Sequence, residues 1–177
     1  MISPLTEILC LDLIMELLMS RTLIFGNSGS GKSTLASQIH QQDNVPHFDL
    51  DTVAWQSGLP PIRNPLPLSI ELINKFISTQ DNWVIEGCYS DLLTELLPFA
   101  TLIIYLDLPN KVCIENAKNR AWEPHKYSSK QAQDENLAML IHWIKEYETR
   151  TDSFSKKSHQ ALYNSFSGKK TIIKNNN

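Results

Sequence analysis

Gly26-Asn27-Ser28-Gly29-Ser30-Gly31-Lys32-Ser33 is an instance of G-x-x-x-x-G-K-[ST], the Walker A pattern. At average residue usage a chain of this length holds such a match by chance in roughly half a percent of cases. The setting strengthens it: a short apolar stretch at 22–25 leads in, and a helical pattern starts at Ser33. Strand, glycine loop and helix in that order let backbone N–H groups converge on phosphate oxygens, and the helix N-terminus adds a favourable dipole. In such a loop the lysine bridges the β- and γ-phosphates of a nucleotide and the final hydroxyl ligates Mg²⁺. Those roles fall to Lys32 and Ser33, and we expect Gly26, Asn27, Ser28, Gly29, Ser30, Gly31, Lys32, Ser33 and Thr34 to form the nucleotide contact.

Outward from the loop, apolar runs alternate with helical patterns, as in a parallel sheet covered by helices. The spacing predicts strands at 22–25, 45–49, 83–86 and 102–106 and a last one at 170–174. It predicts helices at 33–42, with Leu35, Ala36 and Ile39 inward, and at 68–79, with Leu72, Ile73, Phe76 and Ile77 inward. A short helix separates the third and fourth strands. Pro109 suits the first turn of another, running toward Arg120. Ser128 with Gln131 resembles a capping box ahead of a helix bearing Leu137, Leu140, Ile141, Ile144 and Tyr147. Residues 52–67 carry four of the nine prolines with Trp55 and Gly58, so an irregular excursion is expected there.

Acids punctuate the strand ends. In His47-Phe48-Asp49-Leu50-Asp51 the two aspartates share a side if the strand persists, on the rim where the phosphates sit. From there both reach Mg²⁺ or an acceptor hydroxyl; the competing reading is that one caps a turn. Trp83-Val84-Ile85-Glu86-Gly87 ends a buried strand in an acid, which suits Glu86 to metal support. Asp107 stands at the next strand end, where capping a helix is the simpler role.

This order of glycine loop, Asp49-Leu50-Asp51, Glu86-Gly87, Leu106-Asp107-Leu108-Pro109 and an arginine-bearing helix resembles the P-loop small-molecule kinases, the group of adenylate, shikimate and gluconate kinases. Within it the chain is most similar to the branch labelled adenylate-kinase-like or DNA-topology-modulation proteins, over about residues 20–174. The resemblance implies a three-layer α/β fold with a five-stranded parallel sheet, helices on both faces and a helical lid. It also implies ATP with Mg²⁺, an acceptor-binding insertion at about 52–67 and a basic lid at about 120–132. Asp49 and Asp51 resemble the aspartate pair of shikimate kinases, and Glu86-Gly87 the Asp-Gly of nucleotide kinases. Two departures stand out. Glutamate replaces aspartate at 86, and Arg63 is the only arginine in 52–80, unlike a nucleoside monophosphate pocket.

A lid must bring positive charge to the transferring phosphoryl group. Arg120 is the first choice for that, then Lys126 in Trp122-Glu123-Pro124-His125-Lys126-Tyr127, then Arg150. His125, His142 and His159 lack metal-ligand spacing and fit polar surface or lid positions. Trp143 suits the core. Trp55 either packs or floors the acceptor pocket, and Cys88 has no visible basic partner to make it a catalytic thiol.

Composition sets the outer bounds. With 177 residues, 42% of them apolar, the chain has the makings of one domain and one core, and no apolar run is long enough for a membrane span. The net charge of −3 argues against a general nucleic-acid coat protein. It divides unevenly, with 4 Lys/Arg against 12 Asp/Glu in 1–110 and 12 against 7 in 111–177, so an anion is expected to be gripped from the C-terminal side. Cys10, Cys88 and Cys113 are odd in number without C-x-x-C spacing, which points to a reducing compartment, the cytoplasm by default. Residues 1–18 are apolar but acidic, without Lys or Arg, unlike an export signal. Two readings of them stay open: an upstream-start extension, or a helix packed outside a single kinase-like domain at 19–177.

These observations lead to an ATP-dependent phosphotransferase acting on a small-molecule acceptor, with Lys32, Asp49, Asp51 and Arg120 in catalysis and Ser33 and Glu86 at the metal. A second class is a nucleotide-dependent ATPase or binding protein acting on DNA or RNA, and a third a nucleotide-binding relic without turnover. The second would need a basic groove with exposed aromatics.

Overall fold

The computed structural model describes residues 20–56, 62–124 and 127–175. The extension at 1–18, Gly58, His125 and Lys126 lie outside them. Five parallel strands form one sheet: β1 (Arg21–Gly26), β2 (His47–Asp49), β3 (Trp83–Gly87), β4 (Leu102–Leu106) and β5 (Lys169–Ile173), in the order β2-β3-β1-β4-β5. This is the α/β P-loop fold. β1 lies at the centre, so the loop leaving it emerges between β3 and β4.

Period-two alternation divides the core. Leu23 and Phe25 face one side and Ile24 the other, all fully buried. The Leu23 side is covered by α3 (Leu66–Ile77), α4 (Ser90–Leu96) and α7 (Lys156–Ser165), through Ile73, Leu92, Leu93, Leu96 and Leu162. The Ile24 side is covered by α1 (Lys32–Asp43), through Ala36 and Ile39. A third cluster joins α5 (Asn110–Lys118) to α6 (Lys130–Glu146) through Cys113, Ala117 and Ile144. No helix among the described residues is long and apolar enough to cross a membrane.

Local expectations fail in four places. Within its described residues the stretch after Asp49 is only partly irregular. A one-turn helix, α2 (Asp51–Ala54), follows at once, and Trp55 bridges Arg63 in antiparallel fashion before Pro65 opens α3. Leu72 stands 37% exposed, because Ser69 and Ile73 take the buried stripe of α3. The cap of α6 is Ser129, one residue later than expected, with its hydroxyl accepting from the Ala132 N–H at 3.0 Å. Finally α7 places His159 in the core rather than at the surface.

His159 is tied on both ring nitrogens. Nε2 lies 3.0 Å from the Cys88 carbonyl, which requires a donor there. Nδ1 therefore accepts from the Tyr147 hydroxyl at 2.8 Å. The Tyr105 hydroxyl lies 3.0 Å beyond, next to Asp107, which also pairs with Lys156. Asp107 is thus spent on this network and caps no helix; Pro109 holds the N-cap position of α5. Burial pushes the His159 imidazole down to about 4, and the charge of Lys32 adds to the shift against the pull of the Cys88 carbonyl. Its native pKa lies below the unfolded value of about 6.5, so the stability it confers is complete above that pH and is lost as pH falls toward 4. We expect about 2 kcal/mol of this loss between pH 7 and pH 5. Urea melts of wild type and His159→Gln at both pH values measure it; equal pH slopes would show that the imidazole is not held neutral.

Candidate active site

The glycine loop joins β1 to α1 as its sequence predicts. Gly31 holds the N-cap position of α1, and no side chain caps it. Lys32 is buried and reaches back across the loop, its Nζ donating to the Asn27 carbonyl at 2.9 Å. The Ser33 hydroxyl donates to Glu86 Oε1 at 2.6 Å, which leaves the lone pairs of Oγ for a cation.

Parallel register brings the acids to the same rim. Asp49 in β2 pairs with Glu86 in β3, and Glu86 is almost wholly buried. The strand does not persist to Asp51. Instead Asp49 Oδ1 accepts from the Asp51 N–H at 2.9 Å, a turn that starts α2, so Asp49 is the one that caps. Asp51 Oδ1 accepts from the Tyr89 hydroxyl at 2.5 Å, and the Tyr89 hydroxyl oxygen in turn accepts from Trp55 Nε1 at 2.6 Å. Burial first, then the neighbouring thiol of Cys88 and the Asp51 carboxylate, hold Tyr89 far above the ordinary phenol range. It stays a proton donor to Asp51.

No ion is needed to explain the fold of this rim, yet the donor set fits one. A hydroxyl and carboxylates are hard oxygen ligands suited to Mg²⁺, which keeps waters and phosphate oxygens for most of its sphere. Among the described residues no group of three or more His, Cys, Asp or Glu could hold a metal by itself.

At the loop, a cavity of about 740 Å³ opens between residues 29–35 and residues 119–123, lined also by Ile173 and Asn175. Arg120 lines it and pairs with Glu123 at 2.7 Å. Arg150 does not line it. Its guanidinium stacks on Trp143 and binds Asp152 through Nε at 2.8 Å and Nη2 at 2.6 Å. Trp143 is correspondingly part of an aromatic group with Phe154 rather than of the sheet core. His142 is exposed beside Glu146. Cys88 is half-buried, and burial pushes Cys113 up to about 11, so that thiol is inert at neutral pH.

Side-chain amides hold the loop and the cavity wall, and sequence reasoning missed three of them, Asn110, Asn116 and Gln133. Asn27 Nδ2 donates to Asn110 Oδ1 and to the Ile144 carbonyl, each at 3.1 Å, and Asn116 Nδ2 donates to the Gly29 carbonyl at 2.9 Å. Gln133 accepts from the Glu123 N–H at 2.9 Å and donates to the Ala121 carbonyl at 3.0 Å. Asn110, Asn116 and Gln133 sit on helices with no motif around them; a contact between distant helix positions leaves no local signal.

A family model described as an AAA domain matches residues 23–137. No curated protein matches the chain in sequence. Among solved structures, a gluconokinase from Sinorhizobium meliloti 1021 is similar at 14% identity and a TM-score of 0.53, over 90% of this chain and 85% of that one. A deoxyadenosine kinase from M. mycoides with bound dATP is similar at 13% identity and a TM-score of 0.45, over 87% and 90%.

Proposed function

The chain belongs to this AAA-domain family, and from that premise we propose that it is an ATP-dependent phosphotransferase, moving the γ-phosphoryl group of ATP to a hydroxyl of a small-molecule acceptor. One observation carries the reading: Lys32, Ser33 and Arg120 line one cavity at the glycine loop, while the Asp49–Asp51 turn abuts the same rim through Glu86. A binding protein has no need of a carboxylate turn beside the phosphate site, whereas a transferase needs a base there.

In this reading Lys32 exchanges its bond to the Asn27 carbonyl for the phosphates, and Ser33 and Glu86 hold Mg²⁺. The cation would draw charge from the phosphate oxygens. Asp51, fixed by Tyr89, takes the proton of the acceptor hydroxyl as its oxygen bonds to the γ-phosphorus. The bond from that phosphorus to the β–γ bridging oxygen breaks, and ADP leaves. Arg120 swings from Glu123 to the transferring group as residues 119–123 close.

The test is a transfer screen with ATP and Mg²⁺ against nucleosides, polyols and hydroxy acids, paired with thermal shifts. Wild type should gain roughly 5–10 °C at a hundredfold excess of ATP–Mg²⁺ over its Kd. Lys32→Ala should stay folded and lose that gain. A variant that still gains several degrees would remove Lys32 from the role.

A further inference from the structure

His159 takes no part in the chemistry above, yet its side chain reaches the root of the acid rim. It is fully buried on α7, with its ring centre 5.7 Å from that of Phe25 and 5.5 Å from that of Tyr147. Its Nε2–H donates to the carbonyl of Cys88 at 3.0 Å. Cys88 stands in the turn by which the chain leaves β3, between two residues that face the site. Glu86 on one side accepts from Ser33, and Tyr89 on the other donates to Asp51.

That turn is tightly held on either side of Cys88. A Cβ on Gly87 would come within 2.9 Å of Leu50 and 3.1 Å of the Tyr89 ring. The Glu86 carbonyl accepts from the Leu50 N–H at 2.9 Å, and the Ser90 N–H donates to the Ser153 carbonyl at 2.9 Å. The Cys88 carbonyl lies between these anchors, past the last ladder residue of β3, and its bond comes from a side chain. Glu86 and Tyr89 are long levers on this short turn. A rotated Cys88 peptide displaces both the carboxylate at Ser33 and the phenol that fixes Asp51.

An imidazole suits this place for a definite reason. A carbonyl only accepts, so Nε2 carries the hydrogen and Nδ1 is left to accept from the Tyr147 hydroxyl at 2.8 Å. Tyr147 is the C-cap of α6, so a second helix fixes the tautomer that bonds Cys88. A rigid ring bonded on both sides holds the carbonyl at a set distance from α6, which an apolar side chain cannot do.

Resting on the phosphotransferase reading, we propose that His159 is a positioning residue for the reaction: through the Cys88 carbonyl it sets Glu86 for the metal and Tyr89 for Asp51, with Tyr147 selecting the tautomer. Its effect falls on turnover and on the metal rather than on nucleotide affinity, because Asn27 and Asn116 brace the phosphate loop separately.

Four variants test this, each assayed per mole of folded protein. His159→Gln places an N–H donor at about the reach of Nε2, His159→Asn places one nearer the backbone at the Nδ1 position, and His159→Leu has none. Asn and Leu should lose about 10–100-fold in kcat, with the KM for ATP unchanged at saturating Mg²⁺, and Gln should recover to within about threefold of wild type. Tyr147→Phe should fall between, about threefold to tenfold down. If His159→Leu does not fold, Gln against Asn carries the comparison. A role confined to stability would lower Tm and leave the kcat of the folded fraction alone. That result, or a Gln variant no better than Asn, overturns the proposal.

Two further readouts need no transfer. The Mg²⁺ concentration at which ATP half-maximally raises Tm should climb about tenfold in Asn and Leu but not in Gln. Imidazole ¹⁵N NMR should find the hydrogen of His159 on Nε2 in wild type and a mixture of tautomers in Tyr147→Phe. Absence of transfer to any compound in wild type removes the transferase alone; a raised Mg²⁺ midpoint then keeps His159 as the residue that sets Glu86. An unmoved midpoint in every variant, or the hydrogen on Nδ1, removes His159 from the role.

Discussion

Asp51→Asn is expected to slow phosphoryl transfer by about 10²–10⁴-fold while leaving the KM for ATP nearly unchanged. Asparagine keeps the shape of the side chain, and its amide oxygen can still accept from the Tyr89 hydroxyl at the 2.5 Å contact, so the turn into α2 should survive. What disappears is the negative charge that draws the acceptor's proton. Tyr89 cannot substitute, because burial holds it in the protonated form. Asp49→Asn should behave differently. Asp49 accepts the Asp51 N–H and pairs in register with Glu86, so its loss should raise the Mg²⁺ concentration needed for half-maximal rate. Titrating ATP and Mg²⁺ against both variants distinguishes them. Near-wild-type kinetics in both would mean that the pair only shapes the turn, and Glu86 becomes the next base to examine.

The contrast between these two aspartates shows where sequence reasoning reaches its limit. That both stand on the phosphate rim was legible, because a parallel sheet puts every strand's carboxyl end on one side and the glycine loop marks which side. That Asp51 leaves the strand was not, since β2 still pairs with β3 through the Leu50 N–H, 2.9 Å from the Glu86 carbonyl, and the helical backbone of Leu50 and the Asp49 turn end it only there. Arg63 and Arg150 follow the same rule. Their residue type was visible, but their pairing across Phe154 arises only when α6 and α7 fold the intervening loop onto the end of β3. Motifs whose chemistry is contiguous, such as 26–33, survive translation into structure intact. Constellations assembled from separate elements do not announce themselves.

The glycine loop itself yields the sharpest structural prediction, a comparison of two glycines two residues apart. Gly29 has φ of 72° and Gly31 of 92°, so alanine at either incurs backbone strain of about 1–2 kcal/mol. Their surroundings differ. A Cβ on Gly31 would meet nothing within 4 Å, whereas one on Gly29 would lie 2.3 Å from the Cys113 carbonyl oxygen. That oxygen belongs to the backbone of α5 and cannot turn aside as a side chain could. Relief requires the loop and α5 to separate, which breaks the Asn116 bond to the Gly29 carbonyl and the Asn27–Asn110 bond with it. Adding overpacking of about 1–3 kcal/mol, Gly29→Ala should lose about 2–5 kcal/mol in all. For a chain of this length that lowers Tm by roughly 5–15 °C, against a few degrees for Gly31→Ala. Gly29→Ala should also lose ATP binding, because α5 leads directly into Arg120 and the cavity wall. Thermal melts of the two variants with and without ATP–Mg²⁺ decide the matter. If Gly29→Ala proves as mild as Gly31→Ala, the loop is not braced by α5, and Arg120 must owe its position to Gln133 instead.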